Sequence, residues 1–94
     1  MIKIQWDPDK ASSNLSKHGV TFDEARTVFF DPLARLIHDP EHSDDEDRFI
    51  LLGLSNISRL LVVCHCYREN EESIRIISAR KATKKESTWY GGTV

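Results

Sequence analysis

The sequence predicts an α+β domain, an antiparallel sheet with helices packed on one face. Helix-start signals, followed by apolar residues three and four apart, crowd the stretch from Asp7 to Phe30. From Arg48 onward the apolar residues come instead in runs of strand length separated by short polar turns. The 94 residues suffice for one core and are too few for two, so residues 1–94 are expected to form a single domain.

The first strand is "IKIQW", where Ile2, Ile4 and Trp6 alternate with Lys3 and Gln5. Asp7 then supplies a helix N-cap and Pro8 the first helical position, and the helix runs through "ASSNLSKH" to Gly19, a residue suited to a left-handed terminus. Thr21 and Glu24 form a capping-box pattern for a second helix, with Phe22, Ala25, Val28 and Phe29 as its apolar stripe and Asp31-Pro32 as its stop. "LARLIHD" is a weak strand. After it "RFILLGLS", "RLLVVCHCYRE" and "SIRIISAR" follow one another across the turns "SNIS" and "ENEES", the pattern of an antiparallel meander. In the last of these, strict alternation places Ile74, Ile76 and Ser78 on one face and Arg75, Ile77 and Ala79 on the other. Thr83 and Glu86 repeat the capping-box pattern before a closing helix that carries Trp89 and Tyr90.

The formal net charge is only -2, but charge is unevenly placed. "DPEHSDDED", residues 39–47, carries six acids and no Lys or Arg, whereas residues 75–85 carry five bases and no acid. A molecule with one positive flank can attract a polyanion whatever its net sign. The N-terminus lacks the pattern of a signal peptide, and no apolar run has the length of a membrane span. Cys64 and Cys66 sit on one strand face, poorly placed for a disulfide, so a reducing, cytoplasmic setting is expected.

The elements "WDP.K...N..KHGV.F.EA" and "RIISAR.AT..E...Y", with an Arg following the acidic run, together resemble the BrnT-type toxins of bacterial type II toxin–antitoxin pairs, from Trp6 to Tyr90. The resemblance implies a RelE/ParE-like toxin fold and a growth-arresting RNA endonuclease neutralised by a cognate antitoxin. Operator DNA would then be reached only through the antitoxin complex. Ser58 departs from the pattern, standing where the family usually shows Gly, which bears on the shape of that turn. ParE-like relatives on this fold inhibit gyrase by binding, so a non-enzymatic inhibitor and a plain basic-patch interaction module remain as alternative functions.

Metal-free RNA cleavage needs a base for the 2′-hydroxyl, cations against the phosphorane charge and an acid for the departing 5′-oxygen. Arginine suits the second task because its planar fork grips two phosphate oxygens. Arg80, favoured for chemistry on the resemblance, ends a strand ahead of a helix whose N-terminus could share a phosphate. Arg68 and Arg75 converge across the "ENEES" hairpin into a second candidate site, roughly 16 Å from Arg80 along the strand. The bland reading of these two is solvated strand ends balanced by neighbouring glutamates. His18 is explained by spacing alone as part of a helix C-cap, and Glu86 as part of a capping box. The resemblance adds both as candidate proton-transfer groups. The catalytic candidates are therefore Arg80, Glu86, His18 and Arg68, and the RNA-binding candidates are Arg75, Lys10, Lys81, Lys84, Lys85 and Tyr90. Lys17 shares a helix face with Lys10, and a solvated face explains both equally well. Of the other aromatics, Trp6 reads as core and Trp89 as an anchor for the last helix. His65, inside a strongly apolar strand, reads as a satisfied core or sheet-face histidine. One Cys-x-Cys without a second pair does not make a structural zinc site, and His38, His42 and Asp44 read as a solvated loop. No metal or cofactor is expected.

Overall fold

The computed structural model describes residues 2–39, 48–68 and 72–90. Met1, the acidic residues 40–47, residues 69–71 and the terminal 91–94 lie outside the described residues. In chain order the elements are β1 (Lys3–Gln5), α1 (Pro8–His18), α2 (Phe22–Thr27), a 3-10 turn (Val28–Phe30), β2 (Arg35–Asp39), β3 (Arg48–Leu54), β4 (Leu60–Arg68), β5 (Ser73–Lys81) and α3 (Lys84–Ser87). They build a five-stranded sheet of order β1-β5-β4-β3-β2, in which β2 to β5 form an antiparallel meander and β1 adds in parallel to β5.

Local chemistry sets the helix ends. The Asp7 carboxylate accepts the Asp9 N–H at 2.9 Å, Pro8 opens α1, and Gly19 closes it at φ 69°. Thr21 caps α2 through the Glu24 N–H at 3.1 Å, but the return half of the expected capping box is absent. The Glu24 carboxylate is buried and instead takes the Ser55 hydroxyl at 2.7 Å and the Arg59 guanidinium, whose Nε lies at 2.9 Å. Those bonds, Arg59 foremost, hold its carboxyl below the usual range against the opposing effect of burial.

One face of the sheet carries the core. Leu51, Leu61, Val63, Ile76 and Ala79 meet Val20, Phe22, Ala25 and Val28 of the helical layer, and Trp6 packs edge-on to Phe22 with centroids 5.9 Å apart. Gly53 lets the 3-10 turn sit directly on β3: a Cβ there would lie 2.9 Å from both Ala34 Cβ and Val28 Cγ1. The "SNIS" turn explains the Ser58 departure, because Ser58 has φ 61°, the left-handed region that glycine enters without steric cost.

Two further expectations change. Strict alternation fails in β5, where Cys64 pairs with Ser78 but the adjacent His65 pairs with Ile76. Ile77 is thus an extra residue, a β-bulge that reverses the alternation beyond it. Ile74, Ile76 and Ala79 consequently share the core face, while Arg75, Ser78 and Arg80 share the opposite one. His65 is a core residue with no exposed surface, wedged against Phe29 at 4.9 Å and Tyr67 at 5.4 Å, but it is only half satisfied. Its Nδ1 lies 3.2 Å from the Val63 carbonyl, whereas the buried Nε2 has no partner among the described residues.

Candidate functional site

Residues paired across a sheet project to the same side, so register locates the functional face. Arg80 pairs with Val62, Val62 with Leu52, and Leu52 with Arg35, making one row on the side away from α1 and α2. The next row is Ser78, Cys64, Ile50 and Ile37. The short α3 is tied to the first row at both ends: Glu86 grips Arg80, and the Trp89 carbonyl accepts from Arg35 Nη1 at 3.1 Å.

Beside α3 a groove of about 230 Å³ opens over these rows, floored by Val62, Cys64 and Ile50 and flanked by Arg48 and Arg80. Its wall at Ile77 and Ser78 is shared with a second groove of about 270 Å³, whose other side is the α1 face bearing Asp9, Lys10, Ser13, Lys17 and His18. The two grooves meet at the bulge because β1 covers only the Ser73–Arg75 part of β5, leaving the rest of that edge to α1. Asn14 closes the join. Its side-chain amide donates to the carbonyls of Ala79 at 2.8 Å and Val20 at 3.0 Å, and its oxygen accepts the Ala79 N–H at 3.0 Å. A buried side chain thus completes the ladder that a neighbouring strand would supply.

Arg80 and Glu86 form a two-pronged pair, Nη1 to Oε1 at 2.7 Å and Nη2 to Oε2 at 2.8 Å. The predicted capping box is present in full, with Thr83 N donating to Glu86 Oε1 at 2.9 Å and Thr83 Oγ1 accepting from Glu86 N at 3.1 Å. Chiefly through the Arg80 contact, the Glu86 carboxyl is lowered to about 2 and Arg80 is raised above its ordinary value. The carboxylate is therefore an anion at neutral pH and a weak base. The expectation that a phosphate shares the N-terminus of the last helix is corrected on the same grounds. α3 has only four residues, and the anion at its N-terminal end is already the Glu86 carboxylate, which accepts the Thr83 N–H, while the Glu86 N–H bonds to the Thr83 hydroxyl.

The other predicted residues divide by position. Lys10 and His18 line the α1 groove. Lys84 and Lys85 are exposed on α3. Lys81 pairs with Leu61 of the core face, and its charge is felt by Glu24, so it lies on the far side from Arg80. Tyr90 is half-buried, and its hydroxyl donates to Asp31 Oδ2 at 2.6 Å, which raises the phenol to about 12. Arg75 pairs with Cys66 and Arg68 with Ser73, which places both on the open face toward the β1 end of the sheet and away from the Arg80 groove. A third groove, about 560 Å³ between Ile4, Phe29, Phe30 and Tyr67, lies on the helical side with Arg26 as its one cation and lacks a converging set of charges. Among the described residues no three His, Cys, Asp or Glu side chains are grouped to hold a metal ion, and no helix is long and apolar enough to cross a membrane.

Sequence reasoning missed the placement of Arg48 and the role of Asn14. The signal for Arg48 was its spacing before Ile50 and Leu52 on one strand face, while that for Asn14 was a lone amide at helical spacing from Ala11 and His18.

A family model described as "Ribonuclease toxin, BrnT, of type II toxin-antitoxin system" matches residues 6–86. Among solved structures, the 1.1 Å crystal structure of the Brucella abortus ribonuclease toxin BrnT is similar, with a TM-score of 0.67 and 26% identity over 89% of this chain and 100% of that one. No curated protein matches the sequence.

Proposed function

The chain belongs to the BrnT family of ribonuclease toxins of type II toxin–antitoxin systems, and from that premise we propose that it cuts RNA without a metal ion in the Arg80 groove of the open sheet face. The observation that carries this reading is the meeting of two cation-lined grooves at Ile77 and Ser78. A single strand can pass over that ridge with its backbone against Lys10 and Lys17 on one side and Arg80 on the other.

In the reaction the 2′-oxygen bonds to phosphorus, the P–O5′ bond breaks, the 2′-hydroxyl proton passes to a base and the 5′-oxygen gains one from an acid. Arg80 stabilises the charge that builds on the phosphorane oxygens. Glu86 acts on Arg80 as a positioning residue, because a carboxyl held at about 2 is poorly suited to take the proton. His18, at the rim of the α1 groove, is the candidate for proton transfer from the other side of the ridge. Arg68 and Arg75 serve the RNA backbone further along the same face, with Lys84 and Lys85 flanking it.

Members of a type II toxin–antitoxin family imply an antitoxin partner. The antitoxin would neutralise this chain by laying acidic side chains over the open face, would alone carry the complex to operator DNA, and would meet the toxin in the cytoplasm. The family assignment does not favour the gyrase-inhibitor and basic-patch alternatives. The test is to incubate antitoxin-free protein with RNA in EDTA and analyse the ends. Products with 2′,3′-cyclic phosphate and 5′-hydroxyl ends are expected. Cleavage that stops in EDTA and returns with magnesium, leaving 3′-hydroxyl ends, would overturn the mechanism.

A further inference from the structure

Arg48 opens β3 and, two residues from Ile50 and four from Leu52, projects to the open face with them. It flanks the same groove as Arg80, with two strand spacings and about four residues of strand rise between them. That separation is roughly 17 Å between Cα atoms. An extended arginine side chain spans roughly 6–7 Å, so two of them reaching inward leave a gap of roughly 3–5 Å, about the width of one phosphate group.

The two guanidinium groups are in opposite states. Arg80 has both terminal nitrogens committed to Glu86, whereas Arg48 Nε is buried without a partner among the described residues. A buried donor left unpaired is costly, and because Arg48 lines the groove, a turn of its side chain outward would let an entering acceptor satisfy it. An arginine calls for a planar or forked anion there, and the neighbouring Arg80 makes a phosphodiester oxygen the matching acceptor.

We propose that Arg48 is the second phosphate-binding cation of the cleavage site, gripping the scissile phosphodiester across Cys64 from Arg80. The inference rests on the reading of this groove as the RNA-cleavage site. Arg80 is the fixed arm, set by Glu86, and Arg48 is the arm completed by substrate. Catalysis then requires both, since each holds a different oxygen of the phosphorane.

The experiment uses Arg48→Gln and Arg48→Lys proteins with the circular dichroism and melting temperature of wild type. Single-turnover cleavage of a short RNA in EDTA is measured, together with binding of its uncleavable 2′-deoxy counterpart at several salt concentrations. Arg48→Gln should lower the cleavage rate by about 100-fold or more. Arg48→Lys should restore only part, because a point charge lacks the fork. The salt slope for binding should fall by about 0.7, one phosphate contact on a single strand. Cleavage by Arg48→Gln within about threefold of wild type, with an unchanged salt slope, overturns the inference. If wild type itself does not cut in EDTA, the cleavage reading fails. The inference is then decided by binding alone, where an unchanged affinity and slope overturn it and a weakened, flatter response upholds the anion site.

Discussion

Removing the Asn14 amide should cost far more than an ordinary helix-surface change. Asn14 is 5% exposed and makes three hydrogen bonds, all to backbone, two of them to Ala79 on the uncovered edge of β5. Asn14→Ala leaves two carbonyls and one N–H without their partner in a site that α1 shields from water. At about 1 kcal/mol per bond the loss is about 3 kcal/mol. In a domain of this size 1 kcal/mol moves the midpoint by about 4–8 °C, so the melting temperature should fall by about 12–24 °C. Asn14→Asp keeps an acceptor for the Ala79 N–H but turns a carboxylate oxygen toward two carbonyls, so it should not rescue. Thermal and urea denaturation followed by circular dichroism measure both variants. A loss below about 1 kcal/mol for Asn14→Ala would refute the reasoning, since it would mean that water serves the strand edge as well as the side chain does. So would an Asp variant as stable as wild type.

Gly53→Ala should destabilise by about 1–3 kcal/mol, because its Cβ would meet Ala34 and Val28 at 2.9 Å; a melting temperature equal to wild type would show that the 3-10 turn can lift away. Ser58→Gly should raise stability by about 0.5–1 kcal/mol, the relief of a left-handed serine less the added freedom of an unfolded glycine, and urea midpoints report the sign. His65 gives a pH signature. Burial lowers its pKa below the ordinary 6.5, so the unfolded chain binds a proton that the folded chain refuses. Its contribution is whole above pH 6.5 and is lost as pH falls below that value, at up to about 1.4 kcal/mol per pH unit. His65→Phe should flatten the stability curve between pH 6.5 and 5, above the range where the paired carboxylates titrate. An unchanged slope in the variant would show that other groups produce it.

Features set by neighbours in sequence were legible, and those set by register were not. The Asp7, Thr21 and Thr83 caps and the Gly19 stop follow from residues within a turn of each other, and all four stand in the structure. The three-strand meander likewise follows from short turns between apolar runs. The Ile77 bulge carries no such local mark, yet one extra residue transfers Ser78 and Arg80 to the face shared by Arg75. That transfer leaves Lys81 on the core side, away from the groove its neighbour flanks. The Glu86 capping box was readable from spacing, but its grip on Arg80 depends on where α3 crosses the sheet. Arg48 and Arg80 are 32 positions apart, and only the pairing of three strands brings them to one groove.

On the proposed mechanism, chemistry sits at Arg80, over the bulge, and not where Arg68 and Arg75 lie near the other end of the sheet. The measurement that tests it most directly is single-turnover RNA cleavage in EDTA by wild type, Arg80→Ala and Arg68→Ala proteins matched for melting temperature. Arg80→Ala should lose about 100-fold or more in rate, and Arg68→Ala should stay within about threefold at saturating RNA. Full activity in Arg80→Ala beside a dead Arg68→Ala would contradict the account and move the active site to the far end of the open face.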